Sequence, residues 1–425
     1  MHLPACPHPA PVLIGFSGGL DSTVLLHLLA QQASLRVHGL RALHVHHGLH
    51  PDANHWAAHC EQLCAALRIP FQIIRVTVPA NSGLGLEAAA REARHAAFTH
   101  ALQDGEVLAL AHHQDDQAET FLLRALRGAG CDGLAAMRPW RRYAQGWLWR
   151  PLLQHPRAAL RAYANAHGLP WIEDPSNASS DFDRNFLRNI VLPHFAERWP
   201  QATRGLARSA TLCAEASDLL LQEDTAALAH VQRAPDALEI AALQPLSPTR
   251  RSRVLRAWIN ALALPPLPQQ GVQQIERALL HAEEDAQARF RWQDVCVQRW
   301  RGLLYVYRLT PVLPEDWACT WDGAQPLLLP SGTTLSLHGA ARFDAALRVH
   351  ARQGGERILL PKRAHSHSLK HVLQTCAIPP WQRERLPLLS AADGTLLAAG
   401  DQILSATLTT WLKNHGAHLS WQSLP

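Results

Sequence analysis

The stretch Ser17-Gly18-Gly19-Leu20-Asp21-Ser22 constrains this chain most, because it falls where a strand should end and a helix should begin. Before it, Val12-Leu13-Ile14-Gly15-Phe16 is short, apolar and β-favouring. After it, Thr23 to Gln32 sets Val24, Leu25, Leu28 and Leu29 on one helical stripe. A Gly- and Ser-rich turn that opens a helix offers backbone N–H groups and the positive end of the helix dipole to an anion. Gly18 and Gly19 permit close backbone approach, Ser17 and Ser22 add hydroxyl groups, and Asp21 is suited to hold a divalent cation against phosphate oxygens. The loop lacks the Lys that precedes Ser/Thr in the Walker A loop. It therefore suits a released pyrophosphate, which favours adenylation over γ-phosphoryl transfer. The competing reading is a plain strand-to-helix turn, and the flanking strand and helix weigh against it.

A chain of 425 residues exceeds one compact core, so two or three domains are expected. With 47% apolar and 18% charged residues, the composition is that of an ordinary globular protein. The basic residues are nearly all Arg, with lysine only at Lys362, Lys370 and Lys413. A formal charge of +5 and a pI near 8.9 permit a nucleic-acid partner without requiring one. The eight cysteines are scattered without a C-x-x-C, which argues against a zinc ribbon or a disulfide scaffold and suits a reducing compartment. Cys60 and Cys64, one helical turn apart, read as small core residues. The 26 histidines form no metal-ligand spacing. No leader pattern and no apolar run of spanning length is found, so no membrane partner is expected and the cytoplasm is the expected location.

The first half alternates strand and helix. Strands are expected at 40–46, 71–78, 106–111 and 147–150, with helices around 55–67 and 87–102. Such alternation indicates an α/β fold with a parallel sheet covered on both faces, over residues 1–200. Ligands bind such sheets at the carboxyl ends of the strands, where Ser17, His46-His47 and the segment from His112 fall. A mostly helical domain is expected over 203–308 and a small α+β domain over 315–425.

Further clusters carry chemistry. In His112-His113-Gln114-Asp115-Asp116-Gln117-Ala118-Glu119-Thr120, a helix beginning near Gln114 puts Asp116 and Glu119 on one face, over the phosphate loop's crevice. Two carboxylates there could bind a metal, grip an amine or help to deprotonate it, although acidic residues are also favoured in any first helical turn. Arg124, Arg127, Gly128, Gly130 and Gly133 follow, and Arg127 ahead of a glycine loop suits a transition-state cation near an α-phosphate. Glu173-Asp174-Pro175-Ser176-Asn177 through Arg184 and Arg188 is polar and irregular, read equally well as a capped turn or as part of the site. Arg250, Arg251, Arg253 and Arg256 ride on a helix over Val254, Leu255, Trp258 and Ile259; they suit phosphate-backbone contact or simple solvation. Lys370, His371, Trp381, Arg383 and Arg385 mix cations with an aromatic, which suits RNA contact or an amphipathic surface.

The hexapeptide at Ser17 matches the signature of the PP-loop ATP pyrophosphatases. Together with HVHHGL at His44, HHQDDQAET at His112, RGAGCDGL at Arg127, EDPSN at Glu173, RNFLRN at Arg184 and the block Gly354 to Arg383, it resembles the tRNA(Ile)-lysidine synthetases that carry two additional C-terminal domains. The resemblance implies an adenine nucleotide alpha hydrolase-like first domain followed by two tRNA-binding domains. It implies ATP-dependent ligation of L-lysine to C2 of the wobble cytidine of a CAU-anticodon tRNA(Ile), through an adenylated cytidine. On this reading Ser17, Gly18, Gly19 and Ser22 cradle the phosphates, His46 lies at the nucleotide, and Asp21 holds Mg²⁺. Asp116 and Glu119 bind the lysine and assist loss of its proton, and Arg127 stabilises charge at the α-phosphate. Arg91, Arg94, Arg188, Arg250, Arg253, Lys370 and Arg383 become candidate contacts to nucleotide or tRNA. The absence of a reactive cysteine pair and of a glutaminase domain separates the chain from thiolating and amidotransferase relatives. Another PP-loop tRNA-modifying ligase and a non-catalytic ATP- and RNA-binding protein are the alternatives, and a homodimer is one oligomeric state left open.

Overall fold

A computed structural model describes residues 1–79, 85–179, 182–280 and 288–423. The chain divides into two compact units, Met1–Gln222 and Glu223–Pro425.

The first unit is built on a six-stranded sheet ordered β3-β2-β1-β4-β6-β5. Its strands are β1 (Val12–Gly15), β2 (Leu40–His46), β3 (Phe71–Arg75), β4 (Val107–Ala109), β5 (Trp140–Tyr143) and β6 (Gly146–Trp149). The pairs β1–β2, β2–β3, β1–β4 and β4–β6 are parallel, and β5 closes one edge as an antiparallel hairpin with β6. Apolar side chains leave both faces of the central strands. Val12 and Ile14 join a core with Val24, Leu25 and Leu29, whereas Leu13 joins Leu43, Phe98 and Leu108 on the other side. That two-sided burial is why β1 reads as an unbroken apolar run instead of an alternating one.

The helices are α1 (Leu20–Ala30), α2 (Ala33–His38), α3 (Ala53–Ala66), α4 (Leu86–Ala101), α5 (Gln114–Leu126), α6 (Cys131–Leu134), α7 (Arg157–Ala166), α8 (Asp183–Phe186), α9 (Leu192–Arg198) and the long α10 (Ala202–Val231). A π-helical turn, Leu187–Val191, joins α8 to α9. Strand order reverses between β1 and β4, so the crevice at the carboxyl ends of these two strands is the topological switch point where ligands settle in such sheets. Cys60 and Cys64 are fully buried, and burial pushes both thiols up to about 12, as befits inert core residues.

The second unit opens with β7 (Gln232–Ala234), β8 (Ala237–Glu239), α11 (Ile240–Leu243), α12 (Pro248–Ala261) and α13 (Gln269–Gln274), then β9 (Arg289–Trp292), β10 (Val295–Trp300) and β11 (Leu303–Arg308). The expected helices are present, and a five-stranded antiparallel sheet, β7-β8-β11-β10-β9, accompanies them. Sequence reading passed over this sheet because Val295, Cys296, Val297 and Gln298 of β10 are all buried, which erases the period-two pattern. Beyond Thr310 the chain is a mixed α+β assembly of a seven-stranded sheet and a three-stranded one, with a helix at Leu369–Thr375. No helix among the described residues is long and apolar enough to cross a membrane.

Candidate active site

The phosphate loop leaves β1 and enters α1 without a side-chain cap, because the N-cap position is Gly19. The first N–H groups of α1 therefore have no capping side chain to compete with an anion. Gly18 adopts φ +83°, and a Cβ there would lie 2.7 Å from Ile172 Cδ1 and 2.8 Å from Cys60 Sγ. Only glycine fits such a position. The loop is braced from outside its own motif: the Ile172 N–H donates to Gly18 O at 2.9 Å. Within the loop, Ser22 Oγ donates to Gly19 O at 3.0 Å and lies 3.0 Å from Ser17 Oγ.

Asp21 links this loop to the end of β4. Its Oδ2 lies 3.5 Å from His113 Nε2, and its Oδ1 lies 3.7 Å from Arg157 Nε. Asp21 Oδ1 and Arg157 Nε are both buried, and neither has a hydrogen-bond partner among the described residues. An orphaned carboxylate oxygen beside a phosphate-binding turn fits one ligand of Mg²⁺, which takes one or two carboxylates and completes its shell with phosphate oxygens and water.

His113 is the N-cap of α5 and exchanges hydrogen bonds with Asp116 in a capping box. The His113 N–H donates to Asp116 Oδ2 at 3.0 Å, and the Asp116 N–H donates to His113 Nδ1 at 3.4 Å. Burial opposes protonation of the His113 ring, but the Asp21, Asp116 and Asp115 carboxylates outweigh it and raise its pKa.

Asp116 and Glu119 share a face of α5, as their spacing predicts, and two arginines clamp them. Arg188 Nη2 donates to Asp116 Oδ1 at 2.9 Å, and Arg188 Nε donates to Glu119 Oε1 at 2.7 Å. Arg184 Nε donates to Glu119 Oε2 at 3.0 Å and its Nη2 to Thr120 Oγ1 at 3.2 Å. Glu119 is fully buried and Asp116 nearly so. Burial pushes the Asp116 carboxyl up, but His113, His112, Arg184 and Arg188 more than offset it and bring it to about 2. Held there, Asp116 stays ionised and is too weak a base to take a proton at neutral pH. Arg184 and Arg188 stand four residues apart in RNFLRN; that spacing was the available signal, and the clamp itself was missed.

His112 directly precedes this cap. Arg150 Nε donates to its Nδ1 at 3.2 Å, and burial keeps the ring neutral, with Arg150, Arg184 and Arg94 adding to the effect against Asp116. Arg94 also lowers the pKa of His47 and His95, after burial in each case. Arg91 joins it at His95, which is brought to about 4. His46 is buried at the end of β2, its Nε2 lying 3.2 Å from Asn54 Oδ1 and 3.1 Å from Arg75 Nη1.

Arg127 is largely exposed and lies 3.5 Å from Asp183, while Arg184 and Arg188 are the cations set against the buried carboxylates. Asp174 caps its turn by accepting the Ser176 N–H at 2.8 Å, and the Asn177 side chain lies outside those described. On α12, Arg253 Nη2 lies 2.7 Å from Asp224 Oδ2, and Arg250 lies 3.4 Å from both Asp224 and Glu223. Phosphate contact by either would compete with these pairs. Arg383 Nε donates to Ile378 O at 2.6 Å, and Lys370 is exposed on its helix.

Comparison with known families matches a PP-loop domain to residues 5–195, a TilS substrate binding domain to 238–305 and a TilS substrate C-terminal domain to 347–421. The tRNA(Ile)-lysidine synthase of Xanthomonas axonopodis pv. citri (strain 306) is 58% identical over 423 residues, covering 99% of this chain and 96% of that one. The enzyme of the same name from Xanthomonas campestris pv. campestris (strain 8004) is 56% identical, covering 99% and 97%. That from Xylella fastidiosa (strain 9a5c) is 55% identical, also covering 99% and 97%. With identity of this level sustained across three matched domains, the chain belongs to the tRNA(Ile)-lysidine synthase family.

Proposed function

We propose that the protein ligates lysine to C2 of the wobble cytidine of a CAU-anticodon tRNA(Ile), converting ATP to AMP and pyrophosphate. The observation that carries this reading is the junction at the switch point, where Asp21 of the phosphate loop lies 3.5 Å from His113 and the Asp116–Glu119 pair follows on the same helix. An uncapped helix start for pyrophosphate thus stands beside carboxylates suited to an amine. The names of the relatives that align over nearly the whole chain support the choice of substrates.

In the first step the C2 oxygen attacks the α-phosphorus; an O–P bond forms and the bond to pyrophosphate breaks. The N–H and hydroxyl groups of Ser17, Gly18, Gly19 and Ser22 hold the leaving pyrophosphate. Asp21 would hold Mg²⁺, which when bound neutralises charge on the phosphates. Arg91, Arg94 and His46 face the nucleotide. In the second step the deprotonated ε-amine attacks C2; a C–N bond forms and the C–O bond to AMP breaks. Asp116 and Glu119 orient the amine. Because Arg184 and Arg188 already neutralise both carboxylates, they stabilise an ammonium less, and its proton is lost to solvent at lower cost. Arg127, exposed beside Asp183, would add positive charge at the α-phosphate. Lys370 is the most accessible tRNA contact of the later domains, ATP and tRNA imply work in the cytoplasm, and a homodimer is tested by solution mass.

AMP production from ATP, Mg²⁺ and CAU-anticodon tRNA(Ile), measured with and without lysine, tests the reading. Lysine-dependent AMP release with lysine joined to the tRNA is expected. Turnover only with another amine would move the chain to a different PP-loop ligase. In the same assay Asp21→Ala should abolish pyrophosphate release and leave tRNA binding nearly intact; loss of tRNA binding with normal release would refute the assignment.

A further inference from the structure

Strands β4 and β6 pair with Ala109 opposite Trp149, so the residues that follow them leave the carboxyl edge of the sheet side by side. Arg150 follows β6 directly, and His112 lies just past the end of β4. Arg150 is buried and held at two points: its backbone N–H donates to Pro139 O at 2.8 Å, and its Nη1 donates to Arg138 O at 2.7 Å. Its Nε donates to His112 Nδ1 at 3.2 Å. A guanidinium has donors only, so Nδ1 must accept, and the uncharged ring then carries its proton on Nε2. The other tautomer would set two donors against each other. His112 Nε2 makes no hydrogen bond to a described residue, yet it is not a sealed orphan, and the residue is only half-buried. Its N–H is therefore free to donate at the switch point, with Arg150, Arg184 and Arg94 as the cations that act on the ring and Asp116 as the anion.

We propose that Arg150 is a positioning residue: it fixes the His112 tautomer whose Nε2–H donates to an oxygen of the α-phosphate as AMP departs. The proposal rests on the ligase reading above and extends it to the residue that aims this donor. When the amine attacks C2, the C–O bond breaks and its electron pair stays on the oxygen that leaves with AMP. A neutral imidazole N–H aimed there in advance stabilises that charge by hydrogen bonding and keeps its own proton. Three cations around the donor favour a phosphate oxygen as its acceptor over a second donor group. Arg150 touches no reacting atom in this scheme and acts through His112 alone.

The test is a double-mutant cycle on lysine-dependent AMP release, with kcat and the KM values for lysine and ATP measured for each protein. Arg150→Met removes every donor and should lower kcat by on the order of 10–100-fold with KM little changed. His112→Gln brings an amide N–H to the Nε2 position without needing a tautomer, and should stay within about tenfold of wild type. His112→Asn, too short to reach, should lose on the order of 10²–10³ in kcat. In the His112→Gln background, Arg150→Met should cost no more than about threefold. An equal loss from Arg150→Met in both backgrounds would overturn the proposal and assign Arg150 to the fold or to direct substrate contact. Nitrogen NMR of isotope-labelled histidine, with the His112 signals identified by their absence in His112→Gln, reads the tautomer itself. A proton on Nε2 in wild type and a mixture in Arg150→Met are expected; a proton on Nδ1 in wild type would overturn the proposal without any turnover. Wild type that releases no AMP with lysine would refute the parent reading, while the NMR result would still decide the tautomer.

Discussion

Gly18 shows how little side chain the phosphate loop tolerates. Its positive φ and the approach of Ile172 and Cys60 mean that Gly18→Ala must strain the backbone and displace two neighbouring side chains. A loss of about 1–3 kcal/mol in urea unfolding is expected, together with weakened ATP-dependent pyrophosphate release. Asp116 makes a pH prediction. Its carboxyl titrates near 2 in the fold against a usual 3.8, so its contribution to stability is fully present above about pH 4 and is lost as pH falls toward 2. Acid unfolding followed by circular dichroism should therefore steepen in that window, and Asp116→Asn should flatten it.

The decisive element is the pair formed by α5 and the segment from α8 through the π-helical turn. The acidic face of α5 could not be buried alone, since isolated carboxylates in an apolar setting would protonate or stay exposed. Arg184 and Arg188 make that burial tolerable. Removing one partner leaves a charge stranded: Arg188→Ala should cost about 2–4 kcal/mol in thermal or urea unfolding, with Glu119→Gln in the same background recovering part of it. If the double variant is no more stable than Arg188→Ala, the clamp is not what holds this segment. On α12 the same residue type behaves differently, its arginines pairing with Asp224, Glu223 and Glu276 over a buried apolar stripe. The sequence showed that stripe plainly but held no sign of which carboxylates would meet the arginines.

At the scale of the molecule, every residue given a part in the chemistry lies in the first unit, Met1–Gln222. ATP with Mg²⁺ should accordingly slow amide exchange in the phosphate loop, α1 and α5, and leave the strands of the second unit at their free rates. Protection of the second unit by ATP alone would contradict this division. The second unit holds its own cores, one around Trp258 and Val297 and others around Leu335 and Leu369. Its antiparallel sheet was the main architectural feature not legible beforehand.

What the sequence determined by itself was local and periodic. The apolar run before Ser17, the glycines at 18 and 19, and the three-residue spacing of Asp116 and Glu119 each specify geometry through their nearest neighbours, so strand, loop and helical face could be read directly. What tertiary structure decided was partnership. Ile172 under the phosphate loop, His113 and Arg157 beside Asp21, and Arg184 and Arg188 on the acidic pair all come from positions far along the chain. Their meeting depends on strand order and on which charges can be buried together, because a buried ion must be paired wherever in the sequence its partner lies.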